Sequence, residues 1–348
     1  MWIWYEETAD GLVIARLYGE YPEVVVPEEI DGKSVIGLGA YAFSEKEIPT
    51  DGMCLAEVSA ERSGVGDKGE LDQRLAEGSI CALAGDFITC VTLPDSLRSV
   101  GELCFYQCRE LREISFGGGA IEIGSDAFMN CRSLSTLRIR AGAEEPTALR
   151  SILNQRTQAT DVWFTDAVVH FPEYQEKYDL IGPAHIFELN IEGEGFRARK
   201  CFDGDRFSLA MYDEVFRLAM EKEDERTLCR MAALRLSRRQ TGGSAVAEKD
   251  RAQEGPEQQA DSPTGRAEDV PATEQQAQLK EEDRERYQSY LLEHIGVFCE
   301  DLISRRDLGV WEELYQQGLI DQEHKSVLLK KLTEVRWIEG TRQVLGMG

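Results

Sequence analysis

One segment of this chain repeats itself after 23 residues, and no other feature restricts the fold as tightly. Val100, Gly101, Phe105, Cys108, Leu111, Ile114 and Phe116 are followed by Ile123, Gly124, Phe128, Cys131, Leu134, Leu137 and Ile139. All seven pairs share one offset and matched chemistry. A unit this small cannot close a core alone, so it must stack its apolar face on a copy, and a solenoid is predicted. The alternation in Leu111-x-x-Ile114-x-Phe116 turns apolar side chains inward and leaves Glu113 and Ser115 outside. Phe105 and Phe128 are then expected to stack as a ladder. Gly101 and Gly124 mark bends where a side chain would clash or φ must be positive.

Weaker copies lie on both sides. Val26-Pro27-x-x-Ile30 matches Leu93-Pro94-x-x-Leu97, and Leu38-Gly39-x-x-x-Phe43 matches Val100-Gly101-x-x-x-Phe105. A degenerate copy is read at Ala82 to Leu93, with Phe87 in the aromatic slot and Val91-x-Leu93 as its strand. Downstream, Val162-x-Phe164 follows Leu137-x-Ile139 at an offset of 25, with a short helix expected between Thr147 and Gln158. About four or five units result.

The Leu-Pro-x-x-Leu, Ile/Val-Gly-x-x-x-Phe-x-x-Cys and Leu-x-x-Leu-x-Leu patterns resemble leucine-rich repeats of the BspA type, a family widespread in bacteria. Asp10-Gly11-Leu12-Val13-Ile14 and Val24-Val25-Val26-Pro27-x-x-Ile30-Asp31-Gly32-Lys33 look like the entry segment of such proteins. The resemblance spans residues 8–165 and implies a scaffold reused for many partners, not a particular chemistry. Residues 44–80 interrupt the pattern. An export signal is not legible in Met1-Trp2-Ile3-Trp4-Tyr5-Glu6-Glu7, although many relatives are surface proteins.

Charge narrows the partner classes. A formal charge of −25 and pI near 4.6 set the chain against nucleic acid and anionic membranes. The basic cluster Arg235, Arg238 and Arg239 reads as a helix C-terminal end. With no apolar stretch of membrane-span length, a cytoplasmic protein is expected. The nine cysteines fit that compartment as free thiols. Cys108 and Cys131 occupy equivalent repeat positions, and Cys104 aligns with Ala42 and Ala127, so these read as packing residues and not metal ligands.

No catalytic constellation is visible. His170, His185, His294 and His324 lack a nucleophile motif or a metal-pair spacing. Gly64-x-Gly66-x-x-Gly69 has dinucleotide-loop spacing, but Ala60-Glu61-Arg62-Ser63 before it is too polar for a buried parallel strand. A flexible glycine-rich loop is the expectation. No cofactor or metal is called for.

Beyond 165 the pattern changes. Residues 166–205 read as a bridging cap, with His185–Ile191 as a strand and Phe196–Phe202 as its hairpin partner. From 206 the period becomes helical. Tyr212, Val215, Phe216, Ala219 and Met220 form one face, and Leu228, Met231, Ala232 and Leu234 another. Tyr287, Tyr290, Leu291, His294, Ile295, Phe298 and Leu302 form the stripe of one strongly amphipathic helix. Residues 240–283 hold eleven acidic residues against four basic and no aromatics, and read as a disordered insertion. Helices over Asp307–Gln317, Gln322–Val335 and Trp337–Leu345 complete six in three pairs. They resemble ankyrin-like stacks loosely, with a simple bundle as the alternative.

The sequence therefore predicts an α+β multidomain protein. A leucine-rich repeat solenoid with a parallel sheet occupies residues 1–165, with the insertion at 44–80. The cap (166–205) and an all-α domain, helical-repeat or bundle (206–348), follow. The expected function is non-enzymatic protein–protein interaction, with Arg112, Glu113, Ser115, Ser135, Thr136 and Arg138 aligned on one exposed sheet. The partner is an unidentified protein. The alternatives are a nucleotide-binding protein or enzyme using the glycine-rich insertion, and a surface adhesin.

Overall fold

The computed structural model describes residues 1–59, 63–181, 186–237 and 279–347. Two ladders of strands carry the repeats. In the first, Glu23–Val25, Cys90–Thr92, Glu113–Gly117, Thr136–Arg140 and Thr160–Trp163 run parallel, and Val168–Phe171 closes the row antiparallel. In the second, Lys33–Leu38, Ser99–Val100 and Glu122–Ile123 pair in parallel. That row continues through Leu12–Gly19 and Trp2–Glu7 into a mixed nine-stranded sheet. The register preserves the sequence offset, with Val100 beside Ile123, Ile114 beside Leu137 and Phe116 beside Ile139. Ile123 is half-buried and the other five are buried, as their alternation requires.

The aromatic rings stack as expected, with one change of member. Phe105 lies 5.4 Å from Phe128 and 4.9 Å from Phe43, all nearly parallel. Phe87 is not in the stack; it is 37% exposed, and Ile88 is buried instead. The physical reason is a split unit. Ile88, Val91 and Leu93 stand 23 residues before Leu111, Ile114 and Phe116, whereas their ring is supplied by Phe43 from the far side of the insertion. What reads as a degenerate copy is the second half of an earlier one.

Of the two causes expected for the glycines, close approach is the one present. Gly101 and Gly124 do not have positive φ. A Cβ on Gly101 would meet the Gly39 and Ala40 backbone at 2.5 Å, and one on Gly124 would meet Glu102 N at 2.5 Å. Close approach of the neighbouring unit excludes any side chain there. The left-handed positions are instead Leu103 and Asp126 (φ 51° and 52°) and Gln107 and Asn130 (62° and 66°), again 23 residues apart. The same strained turn recurs in each unit.

The insertion is folded. Cys54–Val58 pairs antiparallel with Trp2–Glu7, Ser63–Val65 adds to its other side, and the helix Lys68–Ala76 follows. Trp2, Trp4, Ala15, Leu55, Leu71 and Ile80 close a small core beneath it. Gly64 and Gly66 thus belong to a strand and its exit, not to a flexible loop. Gly66 is packed so closely that a Cβ would lie 2.8 Å from Leu55.

The cap also differs. The hairpin is formed by Gln175–Ile181 and Ile186–Glu192, and the segment expected as the return strand contains the short helix Gly195–Ala198. Gly195 lies against Pro172, where any Cβ would meet the carbonyl oxygen at 2.1 Å. The sheet edge is covered by Val168–Phe171, all four residues buried, and by the helices beyond. Phe171, Phe207 and Tyr212 meet edge-on at 5.4–6.0 Å, with Phe164 stacked on Phe207 at 5.9 Å.

Seven helices follow residue 206 among the described residues: Leu209–Ala219, Glu225–Leu236, Glu281–Glu293, Ile295–Arg305, Gly309–Gln316, Gln322–Glu334 and Ile338–Gly346. Ser208, Asp224 and Asp321 cap three of them with their side chains. The single long helix expected over Tyr287–Leu302 is two. His294, at φ −109° and ψ 27°, breaks the ladder and stacks on Tyr290 at 4.2 Å. Residues 281–283 begin a helix, so the expected insertion ends earlier; its stretch 240–278, like Arg238, Arg239 and His185, lies outside the described residues. The helix Glu225–Leu236 is the hub, with every residue from Leu228 to Leu236 buried. Buried residues of sheet and helices form one continuous cluster.

Candidate interaction surface

Strand pairing turns the outward residues into columns. Glu23, Cys90, Glu113, Thr136, Asp161 and His170 stand side by side across the first ladder. The next column is Val25, Thr92, Ser115, Arg138 and Trp163, and it ends on the buried Val168. Of the six expected surface residues, Glu113, Ser115, Thr136 and Arg138 lie within these columns. Arg112 and Ser135 precede the strands by one residue and are exposed at the turn, where Ser135 N–H donates to the Arg112 carbonyl at 3.1 Å. The structure therefore sets four of the six in the columns and the other two at the adjoining turn.

The face is electrostatically stitched. Arg138 Nε donates to Glu113 Oε1 at 2.7 Å across the strand pair, and its guanidinium lies 5.0 Å from the Trp163 ring centre. Arg140 donates to Ser115 Oγ at 2.8 Å, to the Leu93 carbonyl at 2.6 Å and to Asp95 at 2.6–2.9 Å. Cys90 sits in the first column with its thiol pushed up to about 11 by burial and by Glu113, so it stays protonated at neutral pH. Trp163, Arg140 and Thr92 were not singled out from sequence. The signal was present for Trp163: Val162-x-Phe164 aligned with Leu137-x-Ile139 places it in the column of Arg138.

The free edge of this sheet is Glu23–Val25. Beside it lies a groove of about 610 Å³ floored by Trp2, Ile80 and Leu83 and rimmed by Tyr21 and Arg74.

The first column ends in buried charge. Asp161 receives Arg230 Nη2 at 2.6 Å and the His170 ring Nδ1 at 2.6 Å. Burial alone would raise the Asp161 carboxyl, but the Arg230 guanidinium and the His170 ring hold it well below the usual carboxylate range. Asp301 accepts from Arg226 at 2.9 Å and from Arg305 at 3.0 Å, and lies 3.9 Å from Arg230. Arg235, in the last turn of its helix, forks onto Asp213 at 2.9 and 3.1 Å, and Tyr287 Oη donates to the same carboxylate at 2.9 Å. None of these pairs is closer than 22 residues in sequence except Asp161–His170 and Arg305–Asp301, which is why periodicity could not reveal the network.

Other candidate groups are accounted for by packing. Cys108 Sγ reaches the Phe43 carbonyl at 3.2 Å and Cys131 Sγ the Phe105 carbonyl at 3.0 Å, one rung each. Cys104, Ala42 and Ala127 are buried at equivalent positions. His324 completes a capping box with Asp321. In the glycine-rich segment, Asp67 accepts from Gly69 N at 2.6 Å and Glu70 N at 3.2 Å. The helix end that a phosphate would need already holds a carboxylate, and the preceding strand is antiparallel to its neighbour. Among the described residues, no three His, Cys, Asp or Glu side chains gather as a metal site, and no helix is long and apolar enough to cross a membrane.

Residues 81–173 match, in six copies, the family described as "BspA type Leucine rich repeat region". The match bears out, over this part of the chain, the resemblance to BspA-type leucine-rich repeats. A crystal structure of a T. pallidum leucine rich repeat protein is similar at 22% identity over 39% of this chain and 50% of that one, with a TM-score of 0.23. The chain spans half the length of that relative. No curated protein matches it.

Proposed function

We propose that this chain is a non-enzymatic scaffold that captures a protein partner on the outward face of its first strand ladder. In this reading residues 1–165 wind as a solenoid, residues 166–205 bridge, and the helices after 206 close the end of the stack. The observation that carries the reading is the pair of adjacent columns up to Thr136 and Trp163, where Arg138 is poised between Glu113 and Trp163. A flat face combining fixed charge, an arginine and an aromatic ring supplies the side chains that dominate protein interfaces. The buried thiols fit a cytoplasmic setting: Cys201, Cys229 and Cys299 are each pushed up to about 12 by burial, and all nine cysteines are free.

Exchanging the charges tests it. Glu113→Arg with Arg138→Glu preserves the internal attraction while inverting what a partner meets. The half-exposed pair contributes under about 1 kcal/mol to folding, so stability should hardly move. Affinity capture from the native host, quantified against wild type, should lose the principal partner, and Trp163→Ala should weaken its capture. Equal recovery by wild type and both variants rules the face out.

A further inference from the structure

A group of exposed apolar side chains lies on the last two helices. Val335, Ile338 and Leu345 are 54%, 76% and 63% exposed within eleven residues of one another. They sit around the turn between the helices Gln322–Glu334 and Ile338–Gly346, where a shallow groove of about 600 Å³ is lined by Leu332, Thr333, Arg336, Ile338, Arg342 and Leu345. Surface hydrophobes scattered singly need no explanation, but a grouped set around a groove does. Helix periodicity leaves them there: Leu328, Leu332 and Val344 are buried, and Ile338 and Leu345 occupy the opposite side of the last helix.

The groove is pre-formed. Gly340 lets the Trp337 ring lie against the last helix, since a Cβ there would meet the ring at 2.6 Å. The buried Lys325 ammonium donates to the Met347 carbonyl and ties down the end of the last helix. Nothing has to be ordered before a ligand arrives.

Charge selects the occupant. In a chain of net charge −25, the groove lining carries two arginines and no acid. Residues 330–342 hold Lys330, Lys331, Arg336 and Arg342 against Glu334 and Glu339, and with Lys331 already paired to Glu300 the local excess is one positive charge. Among the described residues, neither Arg336 nor Arg342 forms an ion pair. We infer that this groove between the last two helices docks an amphipathic helix of a partner protein whose apolar stripe is flanked by Asp or Glu. Apolar side chains at i, i+3, i+4 and i+7 fill the groove, and the flanking carboxylates meet Arg336 and Arg342. A second copy of this chain fits worse. A two-fold contact would set these arginines against their own copies and two strongly acidic bodies against each other. An anionic membrane is opposed by the same overall charge. The surface is separate from the strand ladder, so its test stands whether or not the sheet face binds anything.

The experiment uses the full chain and two synthetic amphipathic peptides with the same leucine stripe, one flanked by glutamates and one by lysines, titrated by fluorescence anisotropy. Non-specific attraction to an acidic protein favours the lysine peptide, which makes the expected order demanding. The glutamate peptide should bind at least roughly tenfold more tightly. Arg336→Glu with Arg342→Glu should reverse that order, and Ile338→Glu with Leu345→Glu should abolish binding of the glutamate peptide. All four side chains are exposed, so the melting temperature should stay unchanged in both variants. Preference for the lysine peptide, or no saturable binding of the glutamate peptide, overturns the proposal. Self-association in sedimentation that Ile338→Glu with Leu345→Glu removes would assign the groove to a second copy. Preferential uptake by phosphatidylserine vesicles would assign it to a membrane.

Discussion

The repeat region and the helical region bury comparable kinds of surface but hold it by different means. Between Phe43 and Ile139 the interior consists of rungs: ring on ring, cysteine thiol on the previous unit's carbonyl, glycine on the neighbouring backbone. Each contact involves the adjacent unit, so stability accumulates stepwise along the stack. After residue 206 the helices are pinned by buried carboxylates whose partners lie far off in the chain: Asp161 with Arg230, Asp213 with Arg235 and Tyr287, and Asp301 with Arg226. A rung tolerates loss of one neighbour in proportion to the surface lost. A buried ion pair does not, because its surviving partner is left charged and dry.

The comparison breaks most easily at the rings. Phe105 touches both Phe43 and Phe128, and Phe105→Ala should cost about 3–5 kcal/mol, read from urea unfolding. A loss under about 1 kcal/mol would show that the rungs do not carry the stack. Gly124→Ala comes next, at about 1–3 kcal/mol, since its methyl group would push into the Gly101 and Glu102 backbone. Gly64→Ala in the insertion meets nothing within 4 Å and is the matched control, expected near zero. Smaller again is Asp67→Ala, about 1 kcal/mol from the lost cap. The same variant frees the backbone N–H groups of Gly69 and Glu70, and a thermal shift with nucleotides should still be absent. A nucleotide-dependent stabilisation of wild type would revive the glycine-rich segment as a ligand site.

How much was legible follows from the same difference. The 23-residue offset exposed the strands, the ring ladder, the cysteine positions and the outward set around Glu113 and Arg138, because each repeat repeats its own environment. It misassigned Phe87 because an insertion had separated one unit into two halves, leaving Phe43 to supply the ring. At Gly101 the sequence left a clash and a positive φ as alternatives, since both leave the same mark, and the structure has the clash. The helices after 206 were legible as helices from their apolar period. Their joint with the sheet was not, because Asp161 and Arg230 lie 69 residues apart in unlike elements. Irregular joints are served by buried arginines as well: Arg156 donates to the Cys131 and Leu134 carbonyls, and Arg199 to those of Gln158, Pro172 and Gly195. Where ladder pairing stops, carbonyl groups still need donors, and a long side chain reaches them.

The joint also sets a pH dependence. The Asp161 carboxyl is depressed in the folded chain, so its contribution is complete above the unfolded carboxyl range near about pH 4. It declines as the pH falls from there through the lower folded value. Acid should therefore narrow the stability gap between wild type and a variant lacking the pair.

The most direct measurement of the account is a double-mutant cycle at that pair, by urea unfolding at neutral pH. Asp161→Leu and Arg230→Leu should each cost about 3–5 kcal/mol, because each strands a buried opposite charge, while the double variant should return to within about 1–2 kcal/mol of wild type. A double variant as unstable as the sum of the singles would contradict it, and would place the joint among the additive contacts of the repeat stack.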